Sequence, residues 1–294
     1  MNLNGWIKGR VAAFDHAARP WAARSRLRGW AYEFLMFGLK QAWASLFGGA
    51  MLILLVATHL WWPVGAPLAR YDFLVLAAVT IQVVMLATRL ERSDEALVIV
   101  IFHVVGTIME VFKTAHGSWI YPEHSLLRIG GVPLFSGFMY ACIGSYIART
   151  WRLMDLRYEH SPPLWAPWTL AILSYANFFT HHYIPDIRWC LFAFSAVIWW
   201  RTWVLFTPDL KVRRMPLLLS AVLVAVFIWV AENLGTFATA WVYPSQRDGW
   251  RLVPPGKIGA WYLLVTLSFV LVTIIHRPAA PGPAEQTTRR TPIP

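Results

Sequence analysis

The stretch that decides the architecture occurs twice in the chain, 122 positions apart. The copies are Glu110-Val-Phe-Lys-Thr, four further residues and Trp119-Ile-Tyr-Pro, and Glu232-Asn-Leu-Gly-Thr, four further residues and Trp241-Val-Tyr-Pro. Identical pairs at the same offset are His59 and His181, Pro133 and Pro255, Gly137 and Gly259, and Tyr140 and Tyr262. One offset kept over so long a stretch indicates an internal duplication.

The composition around these copies is that of a membrane protein. Of 294 residues, 57% are hydrophobic and 14% are charged, whereas a soluble domain carries about 25% charged residues. Eight apolar stretches are each long enough to cross a bilayer as a helix. They lie near 40–61, 71–90, 96–112, 132–151, 164–181, 187–206, 215–233 and 258–276. We predict an all-α polytopic membrane protein with eight transmembrane helices, since the stretches are too long and apolar for barrel strands.

The duplication divides these spans into two four-helix halves, 34–157 and 163–277. Because each half has an even number of spans, both have the same orientation, and the repeat is predicted to be parallel. The basic segment 1–33 is either an amphipathic surface helix, with Trp6, Ile7, Val11 and Phe14 on one face, or a flexible orientation signal. The tail, 278–294, is predicted to be disordered.

The net charge of +11 follows the predicted topology. With the N-terminus inside, 19 of the 26 basic residues fall on the cytoplasmic side, as the positive-inside rule requires. This places both termini in the cytoplasm, and it argues against nucleic acid as a partner. The two long loops, about 113–131 and 234–257, then lie on the outer side. Cys142 and Cys190 fall in spans of different halves, so we predict no structural disulfide.

The topology gathers ionisable residues at the outer ends of four spans. These are His59, Glu110, His181 and Glu232, and His103 lies two turns below Glu110 on the same helix face. Ionisable residues within a membrane are candidates for function, and we predict a pocket with these five as catalytic residues. Two imidazoles and two carboxylates suit a divalent metal, although no paired-ligand spacing occurs on one helix. The alternative is a proton relay or acid–base set.

The same residues have structural interpretations. Glu110 and Glu232 could accept hydrogen bonds from the repeated Trp-x-Tyr-Pro loops, and Glu110 could pair with Lys113. In extended backbone the Trp and Tyr of one loop point to the same side, so they either line a pocket or anchor the protein at the interface. The candidate substrate-binding residues are Trp119, Tyr121, Trp241, Tyr243, Lys113 and Asp186. Gly137 and Gly144 indicate a close helix-packing face.

These motifs resemble a family of bacterial integral membrane proteins catalogued as domain of unknown function 817. The matching stretches are Phe102-His-Val-Val-Gly-Thr-Ile-Met-Glu110, Lys113-Thr-Ala-His-Gly-Ser-Trp119-Ile-Tyr-Pro-Glu123, Gly130-Gly-Val-Pro-Leu-Phe-Ser-Gly-Phe-Met-Tyr140, Phe179-Thr-His-His-Tyr-Ile-Pro-Asp186 and Ala231-Glu-Asn-Leu-Gly-Thr236. The family brings no activity with it. A weaker similarity is to membrane carotenoid hydratases and cyclases, which implies acid chemistry on an isoprenoid double bond.

Three functional hypotheses follow for a protein whose partners include membrane lipids. The first is a hydratase- or isomerase-like enzyme that acts on an amphiphile or isoprenoid, with Glu110 as acid, Glu232 as its positioning partner and a histidine as base. The second is a transporter, for which polar groups should continue down the axis, where Thr80, Gln82 and Ser195 are the best candidates. The third is a non-catalytic lipid-binding or assembly protein with structural glutamates.

Overall fold

Long α-helices form most of the chain in a computed structural model, which describes residues 18–209 and 211–275. They are α1 (Arg26–Ala44), α2 (Leu46–Trp61), α3 (Arg70–Ala87), α4 (Ser93–Ala115), α5 (Phe135–Met154), α6 (Trp165–Thr180), α7 (Arg188–Trp199), α8 (Leu217–Phe237) and α9 (Lys257–Ile275). The surface-helix residues predicted before position 18 and the predicted tail lie outside the described residues.

Every predicted apolar stretch overlaps one of these helices, but few of the helices are long and apolar enough to be clear spans. By length and composition, α3, α4 and α8 can cross a membrane, and the pair α1–α2, bent by 68° at Ser45, makes a fourth if it counts as one span. The helix α7 has 12 residues and measures about 18 Å, against about 30 Å of hydrocarbon. The mostly helical class is therefore confirmed, whereas eight spans remain a prediction.

The first predicted span, 40–61, differs from the structure because it contains the bend. The helix α1 begins well before it and ends at Ala44, and α2 begins at Leu46. The exposed side of α1 carries large apolar residues, among them Leu27, Trp30 and Phe34. An apolar pattern alone does not distinguish one straight helix from two helices that meet at an angle.

The closest helix pair is α4 with α5, and glycines make this approach possible. A Cβ at Gly137 would lie 2.6 Å from His103 Nδ1, and one at Gly144 would lie 2.8 Å from the Phe102 ring. A Cβ at Gly106 would lie 2.6 Å from Tyr140. The packing role predicted for Gly137 and Gly144 therefore agrees with the structure, and the contact fixes Tyr140 beside α4.

Two small antiparallel sheets were not predicted. One pairs β1 (Arg128–Ile129) with β2 (Val132–Pro133), and the other has the order β3 (Arg157–Glu159), β4 (Trp203–Phe206) and β5 (Arg213–Pro216). The predicted span 187–206 is therefore helical only to Trp199, and its end forms β4. A short apolar run such as Trp203-Val-Leu-Phe does not identify itself as helix or strand without its partners.

The two repeated loops meet through backbone hydrogen bonds. Ile120 and Val242 form an antiparallel bridge, in which each N–H donates to the other residue's carbonyl, at 3.0 and 2.9 Å. Val242 is the counterpart of Ile120 at the offset of 122. The bridge therefore pairs equivalent positions of the two copies.

Candidate functional site

The Glu110 carboxylate is the centre of a buried hydrogen-bond cluster. It is 5% exposed, and its Oε2 accepts from Trp119 Nε1 at 2.7 Å and from the Tyr121 hydroxyl at 2.5 Å. Its Oε1 accepts from the Tyr140 hydroxyl at 2.8 Å. The loop thus places Trp119 and Tyr121 on one side, as extended backbone predicts, and both side chains point to the carboxylate.

Glu232 repeats this arrangement with different partners. Its Oε1 accepts a short hydrogen bond from the Tyr243 hydroxyl, and its Oε2 accepts from Trp261 Nε1 at 2.6 Å. Trp241 instead packs on Gly235, where a Cβ would lie 2.3 Å from its ring. Trp261 was missed by sequence reasoning, although it directly precedes Tyr262, the counterpart of Tyr140.

Lys257 connects the two clusters. Its Nζ lies 4.4 Å from the centre of the Tyr243 ring and 5.6 Å from that of Trp119, and these two rings meet edge to face at 5.9 Å. Both glutamates are close enough to attract its charge. Sequence reasoning missed Lys257, because it stands at the start of an apolar stretch where a flanking lysine is common.

Lys113 does not pair with Glu110 but with two histidines. Its Nζ lies 3.1 Å from His181 Nε2 and 2.9 Å from His182 Nε2, and 4.5 Å from the centre of the Phe178 ring. The lysine is 5% exposed. His181 is one of the five predicted pocket residues and His182 is not, and adjacent residues within a helix do not face the same way. The helix α6 ends at Thr180, so this restriction does not apply.

A neighbouring carbonyl group orients the His181 ring. His181 Nδ1 lies 2.8 Å from the Asn177 carbonyl, to which it must donate, so its Nε2 faces Lys113. Desolvation and the charge of Lys113 lower the pKa of His182, and His181 and His116 lower it further. The neutral form of His182 is therefore favoured beside the lysine.

Asp186 lies in the loop after His182 and holds that loop in place. Burial raises the pKa of Asp186, but hydrogen bonds from Asn177 and Arg188 and the charge of Arg188 outweigh it, so the pKa is below its ordinary value. The carboxylate accepts from Asn177 Nδ2 at 3.0 Å and from Arg188 Nε at 2.5 Å. Its position beside Arg188 leaves the predicted role in substrate binding open.

His59 and His103 lie away from these clusters. His59 contacts Thr239, at 3.3 Å, and lines an open cavity of about 360 Å³ together with Arg70 and Glu123. The His103 ring lies 4.3 Å from the Phe138 ring, and its buried Nδ1 has no hydrogen-bond partner in the described chain. The structure thus distributes the five predicted catalytic residues over several environments.

The four predicted metal ligands, His59, His181, Glu110 and Glu232, likewise lie in different environments. Within residues 18–209 and 211–275, no group of three or more His, Cys, Asp or Glu side chains is arranged to hold a metal ion. Glu110 and Glu232 are bonded to aromatic donors, and His181 is bonded to Lys113. The site can donate charge-assisted hydrogen bonds from Lys113 and offer aromatic faces to a ligand.

A second polar cluster lies between α3, α4 and α5, and sequence reasoning missed its charged members. Glu91, 3% exposed, accepts a short hydrogen bond from Gln82 and another from Ser145 at 2.9 Å. Arg149, fully buried, donates to the carbonyl of Trp43 at 2.8 Å. The sequence suggested Gln82 as one of few polar groups in this region. The structure adds two buried charged residues, Glu91 and Arg149.

Apolar helices with buried polar clusters define a mostly helical membrane protein. The chain belongs to the family described as Protein of unknown function (DUF817), whose model matches residues 33–269. This confirms the resemblance that the motifs indicated.

Two further comparisons give relatives of different kinds. The chain is 41% identical over 254 residues to Uncharacterized protein YoaT of Bacillus subtilis (strain 168), with 86% of this chain and 95% of that protein covered. Among solved structures, it is similar to a mycobacterial Insig homologue, MvINS from Mycobacterium vanbaalenii, at 14% identity and a TM-score of 0.46, over 65% of this chain and 98% of that one. A cross-linked MvINS trimer gives a TM-score of 0.47 at the same identity and coverage.

Proposed function

We propose that the protein spans a bacterial cytoplasmic membrane eight times and binds an amphiphile at its outer end. A helix in each of the eight apolar stretches and the excess of basic residues on one side support this topology. Both termini are then cytoplasmic, and the Trp-x-Tyr loops lie outside. The role of the glutamates, in this proposal, is to hold these loops.

The repeat is part of the same proposal. A pseudo-twofold axis exchanges equivalent residues, so two equivalent residues can bond reciprocally only where the axis passes between them. The paired hydrogen bonds of Ile120 and Val242 fit an axis at this bridge. Two halves, 34–157 and 163–277, would then face each other across the outer loops.

The observation that carries the proposal is the placing of Lys113 at the outer end of α4. Its ammonium group lies between two imidazoles and the Phe178 ring, and Phe179 packs on Phe112 with ring centres 4.8 Å apart. A cation beside an aromatic surface suits a molecule with a polar head and an apolar tail. Such a molecule can enter from the outer leaflet, where a polar end meets the headgroups.

The enclosure of Glu110 by other side chains favours binding over acid catalysis. A general acid must reach the atom that it protonates, whereas Glu110 is enclosed by Trp119, Tyr121 and Tyr140. The indole N–H of Trp119 can only donate, so an oxygen of the Glu110 carboxyl group serves as its acceptor. Acid chemistry on an isoprenoid remains a sequence prediction.

Transport is a second candidate, and one observation favours it. A transporter needs polar groups beyond its entry site, and Gln82, Glu91 and Ser145 form a buried cluster in the first half. The buried Oε1 of Gln82 has no partner in the described chain. This candidate is tested directly by measuring uptake of small solutes into proteoliposomes that contain the protein in one orientation.

The amphiphile proposal is tested by identifying what copurifies with the full chain. Mass spectrometry of purified protein should find one amphiphile enriched over the lipid extract of the same membranes. Lys257→Gln, which removes a cation between the loops, should reduce the enrichment. Lys40→Gln is the matched control, because Lys40 donates to the Thr207 carbonyl at 3.0 Å, away from the site. Copurified lipids that match the bulk membrane would contradict the proposal.

A deletion strain separates a binder from an enzyme. A binder leaves the covalent structures of lipids and pigments unchanged, whereas loss of an enzyme makes its substrate accumulate. The deletion strain is rescued with wild type or with Glu110→Gln, and its lipid and pigment profiles are measured. These profiles distinguish a binder from an enzyme. Accumulation that wild type reverses and Glu110→Gln does not would restore the acid–base hypothesis.

A further inference from the structure

Lys113 is a buried cation without an acidic partner. Within the described residues it makes no ion pair, and its Nζ contacts two imidazole nitrogens at 3.1 and 2.9 Å. It is 5% exposed, although it ends an apolar helix. Burying a charge is costly unless an opposite charge or several hydrogen bonds offset it. The two imidazole nitrogens supply hydrogen-bond acceptors but no negative charge.

The surroundings of Lys113 add positive charge. Lys257 and Arg188 are both close enough to repel it, and Asp186 is the carboxylate that attracts it. Asp186 already binds Arg188, with Nε at 2.5 Å and the backbone N–H at 2.9 Å. Lys257 has Glu110 and Glu232 to attract its charge, whereas the carboxylate that attracts Lys113 is already engaged with Arg188.

One N–H of the Lys113 ammonium group remains available to a ligand. An ammonium group has three protons, and His181 and His182 accept two of them. Neither imidazole can hold an anion through the nitrogen that faces Lys113, because that nitrogen is an acceptor. A ligand at this point must accept a hydrogen bond and carry negative charge.

We propose that the Lys113 site binds an oxyanion, a carboxylate or a phosphate monoester, at the head of the amphiphile. This inference rests on the proposed function and names the chemistry of the ligand. A carboxylate or phosphate oxygen accepts the remaining ammonium proton in a charge-assisted hydrogen bond. The charge of the ligand offsets the repulsion among Lys113, Lys257 and Arg188. The rings of Phe178 and Phe112 lie beside the site for the first methylenes of the tail.

The test measures ligand-induced stabilisation of the full chain in phosphatidylcholine nanodiscs. Dihexanoyl phosphatidic acid is the anionic amphiphile, dihexanoylglycerol has the same tails without the phosphate, and inorganic phosphate has the oxyanion alone. A ligand that binds the folded state raises Tm with its concentration. Phosphatidic acid should stabilise the wild type, and Lys113→Gln should weaken its apparent affinity about ten- to a hundredfold.

Three further variants complete the design. Lys113→Arg keeps the charge and should retain most of the affinity, and Lys40→Gln should behave as wild type. Lys257→Gln removes a second cation and should give a smaller loss, which keeps the test informative if Lys113→Gln does not fold. Equal affinity of wild type, Lys113→Gln and Lys257→Gln for phosphatidic acid would overturn the inference.

The two control ligands separate the inference from the proposed function. If inorganic phosphate stabilises as well as phosphatidic acid and Lys113→Gln abolishes the effect, the oxyanion site stands and amphiphile binding fails. If dihexanoylglycerol stabilises as well as phosphatidic acid, also in Lys113→Gln, amphiphile binding stands and the oxyanion inference fails.

Discussion

At the scale of single residues, two buried carboxylates organise the end of the molecule at which the two Trp-x-Tyr loops meet. Glu110 accepts from three side chains and Glu232 from two. The sequence left two roles open for them, an acid or an acceptor for the Trp-x-Tyr loops. The geometry fits the acceptor, because donors occupy both oxygens of each carboxylate.

We predict that Glu110→Gln lowers stability by about 2 kcal/mol, because an amide nitrogen replaces one acceptor oxygen and faces buried donors. Glu232→Gln should have a smaller effect, since fewer donors depend on it. The measurement is Tm of the purified variants in detergent.

The control for both variants is Asp155→Asn, which removes an exposed pair with Arg157 and should change stability by less than about 1 kcal/mol. If Glu110→Gln unfolds like wild type and yet abolishes function, the structural role is wrong and Glu110 acts on the ligand.

At the scale of elements, the contact of α4 with α5 positions the Glu110 cluster. Tyr140 reaches Glu110 from α5, and this requires the close approach at Gly106 and Gly137. A Cβ at Gly137 would lie 2.4 Å from Thr107 Oγ1 and 2.8 Å from the His103 carbonyl. Since one neighbour is backbone, a rotamer change alone cannot relieve the clash.

Gly137→Ala should therefore destabilise the protein by about 1–3 kcal/mol through overpacking. The matched control is Gly38→Ala, also in a helix, where a Cβ meets nothing within 4 Å. That change should be neutral or should stabilise by about 0.5–1 kcal/mol, as alanine does in helix interiors. Thermal unfolding of both variants checks this, and equal Tm values would mean that α4 and α5 are not in close contact.

At the scale of the whole molecule, charge and duplication predict one topology. The positive-inside rule places the basic connections in the cytoplasm, and the parallel repeat then places both Trp-x-Tyr loops outside. The pairing of Ile120 with Val242 requires the two loops to lie on the same side, because neither backbone can bond across the bilayer.

Reporter fusions should therefore place positions near 115 and 245 outside and positions near 155 and 210 inside. The paired reporters, one active only in the cytoplasm and one active only outside, serve as controls for each other at every position. A cytoplasmic location for 245 would exclude the eight-span topology and the gathering of the two loops at one face.

By itself, the sequence determined the membrane class, the approximate positions of α2 to α9 and the repeated carboxylates with their loops. These follow from local properties, because apolar length and a constant offset can be counted along the chain. The same patterns also indicated the packing face at Gly137 and Gly144. The ends of elements were less secure, since 203–206 is a strand whose partners are distant in sequence.

Only the tertiary structure decided which side chains meet. Glu232 takes its indole from Trp261 and not from Trp241, Lys113 pairs with the two histidines that follow α6, and Lys257 joins the two clusters. Each choice depends on how the helices and loops pack, to within a fraction of a hydrogen-bond length. A sequence motif that occurs twice carries the same residue types at both places, but packing against unequal neighbours gives them different partners.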